Sequence, residues 1–198
     1  MNLFIRQLKD VLMAPIRMLL PDVFVEKMGL TSLEMERINA VFPYIQGRLL
    51  DIGAGKNRLV LKYGNGVGVD VLEWGGGAII VPDSSALPFP DGEFDTITFL
   101  ACLNHIPYRE AVLNEAQRLL DKKGRLIITM IDTPVGFISH KVRWYVADTS
   151  REWAPGERYG LSKQEIISMC QVAGFELILH KRFLLNLNNI YIFRTTRF

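Results

Sequence analysis

The sequence predicts an α/β fold: a doubly wound, mostly parallel seven-stranded sheet whose last strand runs antiparallel, with helices added at the N-terminus. Three observations predict it. From Arg48 onward short apolar runs alternate with helical segments, the pattern of a parallel sheet layered with helices. The first run, Leu49-Leu50-Asp51-Ile52, stops at Gly53-Ala54-Gly55, a side-chain-poor turn where backbone can approach a ligand without meeting a Cβ. The final two runs, over about 175–183 and 189–196, are joined by only Leu184–Asn188. That is too short for a right-handed crossover, so they must pair antiparallel.

Taken in order, residues 3–20 read as an amphipathic helix with Phe4, Leu8, Val11, Leu12, Ile16 and Leu19 on one face. Arg6, Lys9, Asp10 and Arg17 fall mostly off that face, Pro15 should kink or break the helix, and Pro21-Asp22 ends it. A second helix is expected from Ser32, a good N-cap, to Val41 before Pro43. Residues 1–45 thus form a helical extension and 46–198 the main domain. Strands follow at about 48–52, 66–70, 78–81, 95–101 and 124–130, before the final pair. Helices are expected over about 108–121 and 162–173, the latter opening with the capping box Ser162/Glu165. Gly124 and Gly174 stand where glycines end helices. The crossover Lys56–Asn65 has room for about two helical turns, and Val71–Gly77, with three consecutive glycines, for none. One sheet face should be thinly covered there.

Composition bounds the function. A chain of 198 residues can bury a full α/β core, and 49% hydrophobic with 22% charged residues is globular usage. A formal charge of +2 lacks the basic excess of a dedicated nucleic-acid binder. Cys102 and Cys170 sit in apolar runs without metal-ligand spacing and read as buried, reduced thiols. No run reaches the ~20 apolar residues of a membrane span, and no signal-peptide cleavage pattern is evident. The expected compartment is the cytoplasm, with no metal.

A second apolar run ends at Val67-Gly68-Val69-Asp70, placing an acceptor where the two hydroxyls of a ribose would lie. Together with the glycine turn it indicates a nucleoside-bearing cofactor. The ordered set Leu50–Gly55, Val67–Asp70, Asp83 with Leu87–Asp95, and Asn104-His105-Ile106 resembles the class I S-adenosylmethionine-dependent methyltransferases, within the broad type 11 group acting on small molecules. Leu119–Leu126 and Leu161–Phe175 also look like that family, so the resemblance covers about 45–198. It implies a Rossmann-like fold and S-adenosylmethionine as cofactor.

The resemblance also implies roles. Gly53 and Gly55 admit the methionine and ribose portion, and Asp51 orients the turn and attracts the α-ammonium. Asp70 accepts from the ribose hydroxyls, Asp83 from the adenine amine, and the Ser84 amide donates to a ring nitrogen. Ala101, at the end of the fourth strand, joins this cofactor set; Leu87 or Trp74 would pack on the adenine. Asn57 stands where a third glycine is common, and asparagine tolerates the left-handed region. His105 is the candidate catalytic base, with a structural role as the alternative, and His140 a second candidate.

Residues 132–160 form the acceptor-side insert, with Phe137, His140, Lys141, Arg143, Trp144, Tyr145, Trp153, Arg158 and Tyr159 suited to a flat or sugar ring. The expected reaction is methylation of a small or lipid- or sugar-linked acceptor, at oxygen rather than nitrogen or carbon. A catalytically silent scaffold of the same fold is the alternative, and a nicotinamide-dependent oxidoreductase a more distant one. The first helix is read as a lid over the acceptor, a weak peripheral membrane contact, or plain core packing.

Overall fold

The computed structural model describes residues 3–131 and 155–196. Seven strands form one sheet: β1 (Leu49–Ile52), β2 (Gly66–Asp70), β3 (Ile79–Ile80), β4 (Phe94–Leu100), β5 (Leu120–Ile131), β6 (Phe175–Phe183) and β7 (Asn188–Thr195). Their order is β3-β2-β1-β4-β5-β7-β6. The first five pair in parallel, and β7 runs antiparallel between β5 and β6. The short connection, Leu184–Leu187 in the structure, therefore closes an antiparallel pair, with Leu184, Leu185 and Asn186 all at positive φ. That turn is tight enough to force left-handed backbone without a glycine.

Each strand's alternation assigns its two faces. Leu50 and Ile52 of β1 and Ile97 and Phe99 of β4 enter a core with Val112, Leu113 and Ala116 of α6 (Arg109–Leu119) and Ile166 and Cys170 of α7 (Lys163–Val172). On the opposite face Leu49, Ile127, Ile190 and Ile192 pack with Leu59 and Val60 of α5 (Arg58–Tyr63) and Ile38 and Val41 of α4 (Leu33–Val41). The extension thus enters the core through α4, which Ser32 caps by accepting from the Met35 amide. Capping of α7 by Ser162 and Glu165 is reciprocal, as the sequence pattern requires.

Two local expectations are corrected. Gly124 ends no helix: α6 stops at Leu119, and Gly124 lies in an irregularity of β5 where the register jumps between Phe94↔Leu120 and Thr96↔Arg125. A Cβ there would sit 2.6 Å from Leu120 and 2.9 Å from the Asp121 carbonyl, so close packing selects the glycine. The first helical stretch breaks beside Pro15 into α1 (Leu3–Leu12) and α2 (Ala14–Leu19) and ends before Pro21, as expected; the correction is that Pro21 then opens a further helix, α3 (Asp22–Lys27). Between β2 and β3 no helix forms, and Val71, Leu72, Ile79 and Ile80 are exposed, the thin cover expected at that edge.

Candidate active site

The strand order reverses between β1 and β4, and open α/β sheets bind ligands in the crevice at that point. A cavity of ≈ 260 Å³ lies there, lined by Asp51, Gly53, Ala54, Gly55 and Leu100 on the sheet side. Asp22, Glu34, Arg37, Ile38 and Arg58 line it from α3, α4 and α5. The N-terminal helices therefore build one wall of the crevice.

The glycine turn is held by Gly53 and Ala54 amides donating to the Val69 carbonyl at 2.9 and 3.0 Å. Gly53 sits at φ 73°, and an added Cβ would lie 2.8 Å from Cys102. Gly55, at φ 51°, has open space where its Cβ would be. Asn57 takes the left-handed φ of 56° that its position demands, and Gly68 leaves room for its side chain: a Cβ there would come within 2.1 Å of the Asn57 amide oxygen. A Cβ on Gly76 would come as close to the Lys56 carbonyl oxygen, so the triple-glycine segment packs directly on the turn.

Asp51 is 2% exposed and accepts from Thr98 Oγ1 at 2.5 Å. Burial pushes its carboxyl up to about 7; the Thr98 bond works against this, while neighbouring Asp70 and Glu34 add to it. Asp70 is 7% exposed, and its oxygens accept from the Gly55 amide at 2.8 Å and the Leu72 amide at 3.0 Å. Each carboxylate oxygen keeps a second lone pair for a hydroxyl. Asp70 thus joins the glycine turn to the end of β2.

Ala101 follows β4 at φ 54°, a strained conformation for a residue bearing a Cβ. Cys102 is only partly buried; its thiol donates to the Ile52 carbonyl at 3.0 Å, and burial raises its pKa well above the usual thiol range. It therefore ties β4 to β1 as a neutral thiol. Asp83 is exposed, and Ser85 donates to it through its amide at 2.8 Å and its hydroxyl at 2.6 Å, bonds that lower its pKa. Ser84 is buried at 7%. Leu87 is 5% exposed at the edge of the core cluster, whereas Trp74 is half-buried. The loop carrying them is clamped by α6: Glu115 accepts from the Leu87 amide at 2.8 Å, while Arg118 donates to the Phe89 carbonyl and pairs with Asp91 and Glu115.

His105 ends the 3₁₀ turn Leu103–His105 that follows Ala101 and Cys102. Its Nδ1 lies 3.0 Å from Oε2 of Glu157, whose side chain is 1% exposed. The described end of the insert, residues 155–160, is tied down around this pair. Asn104 and Arg158 exchange two hydrogen bonds, and Arg109 donates to the Leu103, Asn104 and Gly156 carbonyls. Phe137, His140, Lys141, Arg143, Trp144, Tyr145 and Trp153 lie outside the described residues.

Sequence reasoning missed Thr98, Glu157 and the Asp22, Glu34, Arg37 and Arg58 wall. Thr98 was detectable as a polar position in the apolar run Ile97–Leu100. The others depend on how distant segments fold back.

Residues 8–180 match the Methyltransferase domain family. A ubiquinone/menaquinone biosynthesis C-methyltransferase of Pseudomonas savastanoi is 30% identical over 113 residues, covering 57% of this chain; the chain spans less than half, 43%, of that relative. A solved SAM-dependent methyltransferase of Thermotoga maritima, described as a possible histamine N-methyltransferase, superposes with a TM-score of 0.63 at 20% identity, covering 83% of this chain and 89% of that one. Another, the Burkholderia thailandensis 1,6-didemethyltoxoflavin N1-methyltransferase with bound S-adenosylhomocysteine, gives 0.59 at 18% identity, covering 83% and 79%. With the crevice at the β1/β4 switch point and the open glycine turn beneath it, the chain belongs to the methyltransferase-domain family and is a Rossmann-like, S-adenosylmethionine-dependent methyltransferase.

Proposed function

We propose that this protein is a cytoplasmic enzyme that methylates a hydroxyl-bearing small or lipid- or sugar-linked acceptor, at oxygen in preference to nitrogen or carbon. The observation that carries this reading is the His105–Glu157 pair at the carboxyl edge of the sheet. An ionised carboxylate only accepts, so Glu157 holds the proton on Nδ1 and leaves the lone pair on Nε2, the form a general base needs. His105 then takes the acceptor's hydroxyl proton as its oxygen becomes nucleophilic.

S-adenosylmethionine supplies a methyl group on a sulfonium, an activated carbon open to in-line displacement. The residues fit it. Gly55 leaves open space beside Asp70, whose oxygens keep capacity for the ribose hydroxyls. Asp51, buried and poised near neutrality, gains most from an ammonium at its side. Arg37, on the facing wall of the crevice, offers a guanidinium to the carboxylate of the amino-acid end. Gly53 lines the crevice, Ala101 follows the end of β4 next in sequence, and on this reading Asp83 and the Ser84 amide serve the adenine.

One relative favours a second reading. The Pseudomonas savastanoi protein is named a C-methyltransferase of quinone biosynthesis. Deprotonating a phenolic hydroxyl also enriches the adjacent ring carbon, so the same base serves carbon methylation of an aromatic acceptor. Untargeted mass spectrometry of an extract incubated with protein and cofactor tests both. A product heavier by one CH2 unit supports methyl transfer, and loss of an exchangeable hydroxyl distinguishes oxygen from carbon. No heavier product and no S-adenosylhomocysteine would overturn the reading.

A further inference from the structure

Over their described side chains, the helices α1 and α2 turn polar residues inward and apolar ones outward. Asp10, Ala14 and Arg17 are buried, at 7%, 4% and 2% exposure, whereas Leu8, Val11, Leu12 and Ile16 are exposed. A helix packed for its apolar stripe would show the reverse.

A polar network holds it. Arg17 donates to the Thr31 and Asp10 carbonyls at 2.7 Å each and pairs with Glu36. Asp10 accepts from the Thr31 amide at 2.8 Å and from its hydroxyl at 2.6 Å. Among the described side chains of the apolar stripe, Leu8, Val11, Leu12 and Ile16 are left to face outward. Next along the chain, α3 and its end expose Val23, Phe24 and Met28, with the Lys27 ammonium 5.8 Å from the Phe24 ring centroid. Charge is segregated in the same sense. The acids of these helices turn inward: Asp10 to Thr31, Asp22 to the crevice, Glu26 to Ser32 and Arg58. Lys9 and Lys27 stay exposed beside the apolar side chains.

We propose that this surface is a peripheral docking face for an anionic lipid bilayer. An apolar helix face set between cations lies in the headgroup boundary, burying its stripe while the cations meet anionic lipid. A second copy of this chain is the alternative occupant, which the test below separates from a bilayer. No described helix is long and apolar enough to cross a membrane, so the contact is lateral. Because α3 and α4 line the cofactor crevice, docking would hold that crevice at the lipid surface. This goes beyond the acceptor reading and needs no turnover to test.

The test is co-sedimentation of the intact protein with phosphatidylcholine vesicles, with and without phosphatidylglycerol. The protein should bind the anionic vesicles and pass over the neutral ones. Each of Lys9→Gln and Lys27→Gln should weaken binding about fivefold, the equivalent of about 1 kcal/mol per cation. Val11→Asp/Leu12→Asp should abolish it while binding S-adenosylhomocysteine like wild type, which shows that the variant folds. Three results would overturn the proposal: no binding to anionic vesicles, undiminished binding by the double aspartate variant, or a wild-type dimer that this variant turns into monomers.

Discussion

Nδ1 of His105 and Oε2 of Glu157 lie 3.0 Å apart although 52 residues separate them in sequence. The histidine comes from the turn after β4 and the glutamate from the end of the segment expected to hold the acceptor, so one contact joins the carboxyl edge of the sheet to that segment. His105→Ala should lower turnover by about 10²–10⁴-fold, the scale of general-base help, with cofactor affinity retained. Glu157→Gln should cost less, about 10–100-fold, as for other groups that orient a histidine. Steady-state kinetics with calorimetric cofactor titration separates the two effects. A loss of only a few-fold in His105→Ala would make the histidine structural.

Asp51 makes stability depend on pH. Its folded pKa of about 7 lies above the ordinary 3.8, because burial disfavours the charged form. The native state therefore holds the proton more tightly than the unfolded chain. The contribution is full below about pH 3.8 and is lost as pH rises toward 7. Asp51→Asn cannot ionise, so its thermal midpoint should gain on wild type between pH 5 and 8. A constant difference across that range would contradict the burial argument.

Two neighbouring glycines should fail differently. In Gly53→Ala the new methyl meets Cys102 at 2.8 Å, so folding itself should suffer. In Gly55→Ala it meets nothing in the protein and costs only the left-handed strain, about 1–2 kcal/mol. The protein should fold, as circular dichroism would show, yet bind S-adenosylmethionine poorly because the methyl occupies the ligand's side of the turn. Normal binding by Gly55→Ala would move the cofactor elsewhere.

Arg17→Ala should release α1 and α2 without unfolding the sheet. It leaves Asp10 and Glu36 without their cation, and breaking a buried ion pair costs about 3–5 kcal/mol. Limited proteolysis should cleave the N-terminal segment faster while the core fragment resists. Unchanged cleavage would show that the network does not hold the helices.

The sheet was legible because strand alternation and turn glycines are local signals. The reversed β7 followed from counting five residues, Leu184–Asn188, against the length of a crossover. The placement of Asp51 and Asp70 at strand ends was equally readable. Arg17 was not: as one of three cations near an apolar stripe it reads as solvated, and only the distant Thr31 and Glu36 explain its burial. Glu157 was invisible for the same reason, since nothing in its local pattern names His105 as partner. Helical periodicity revealed the apolar stripe of α1 but not which way it would face, because a buried polar network outweighed it.

Calorimetric titration of S-adenosylmethionine into wild type and Asp70→Ala tests the central claim most directly. Asp70 bridges the glycine turn and the end of β2. Its loss removes the proposed ribose acceptor together with the carboxylate that holds the Gly55 amide. The account predicts saturable binding by wild type, weakened in the variant by roughly 1.5–3 kcal/mol, the scale for hydrogen bonds to a charged group. Equal affinity in the two proteins, or no binding by wild type, would contradict it.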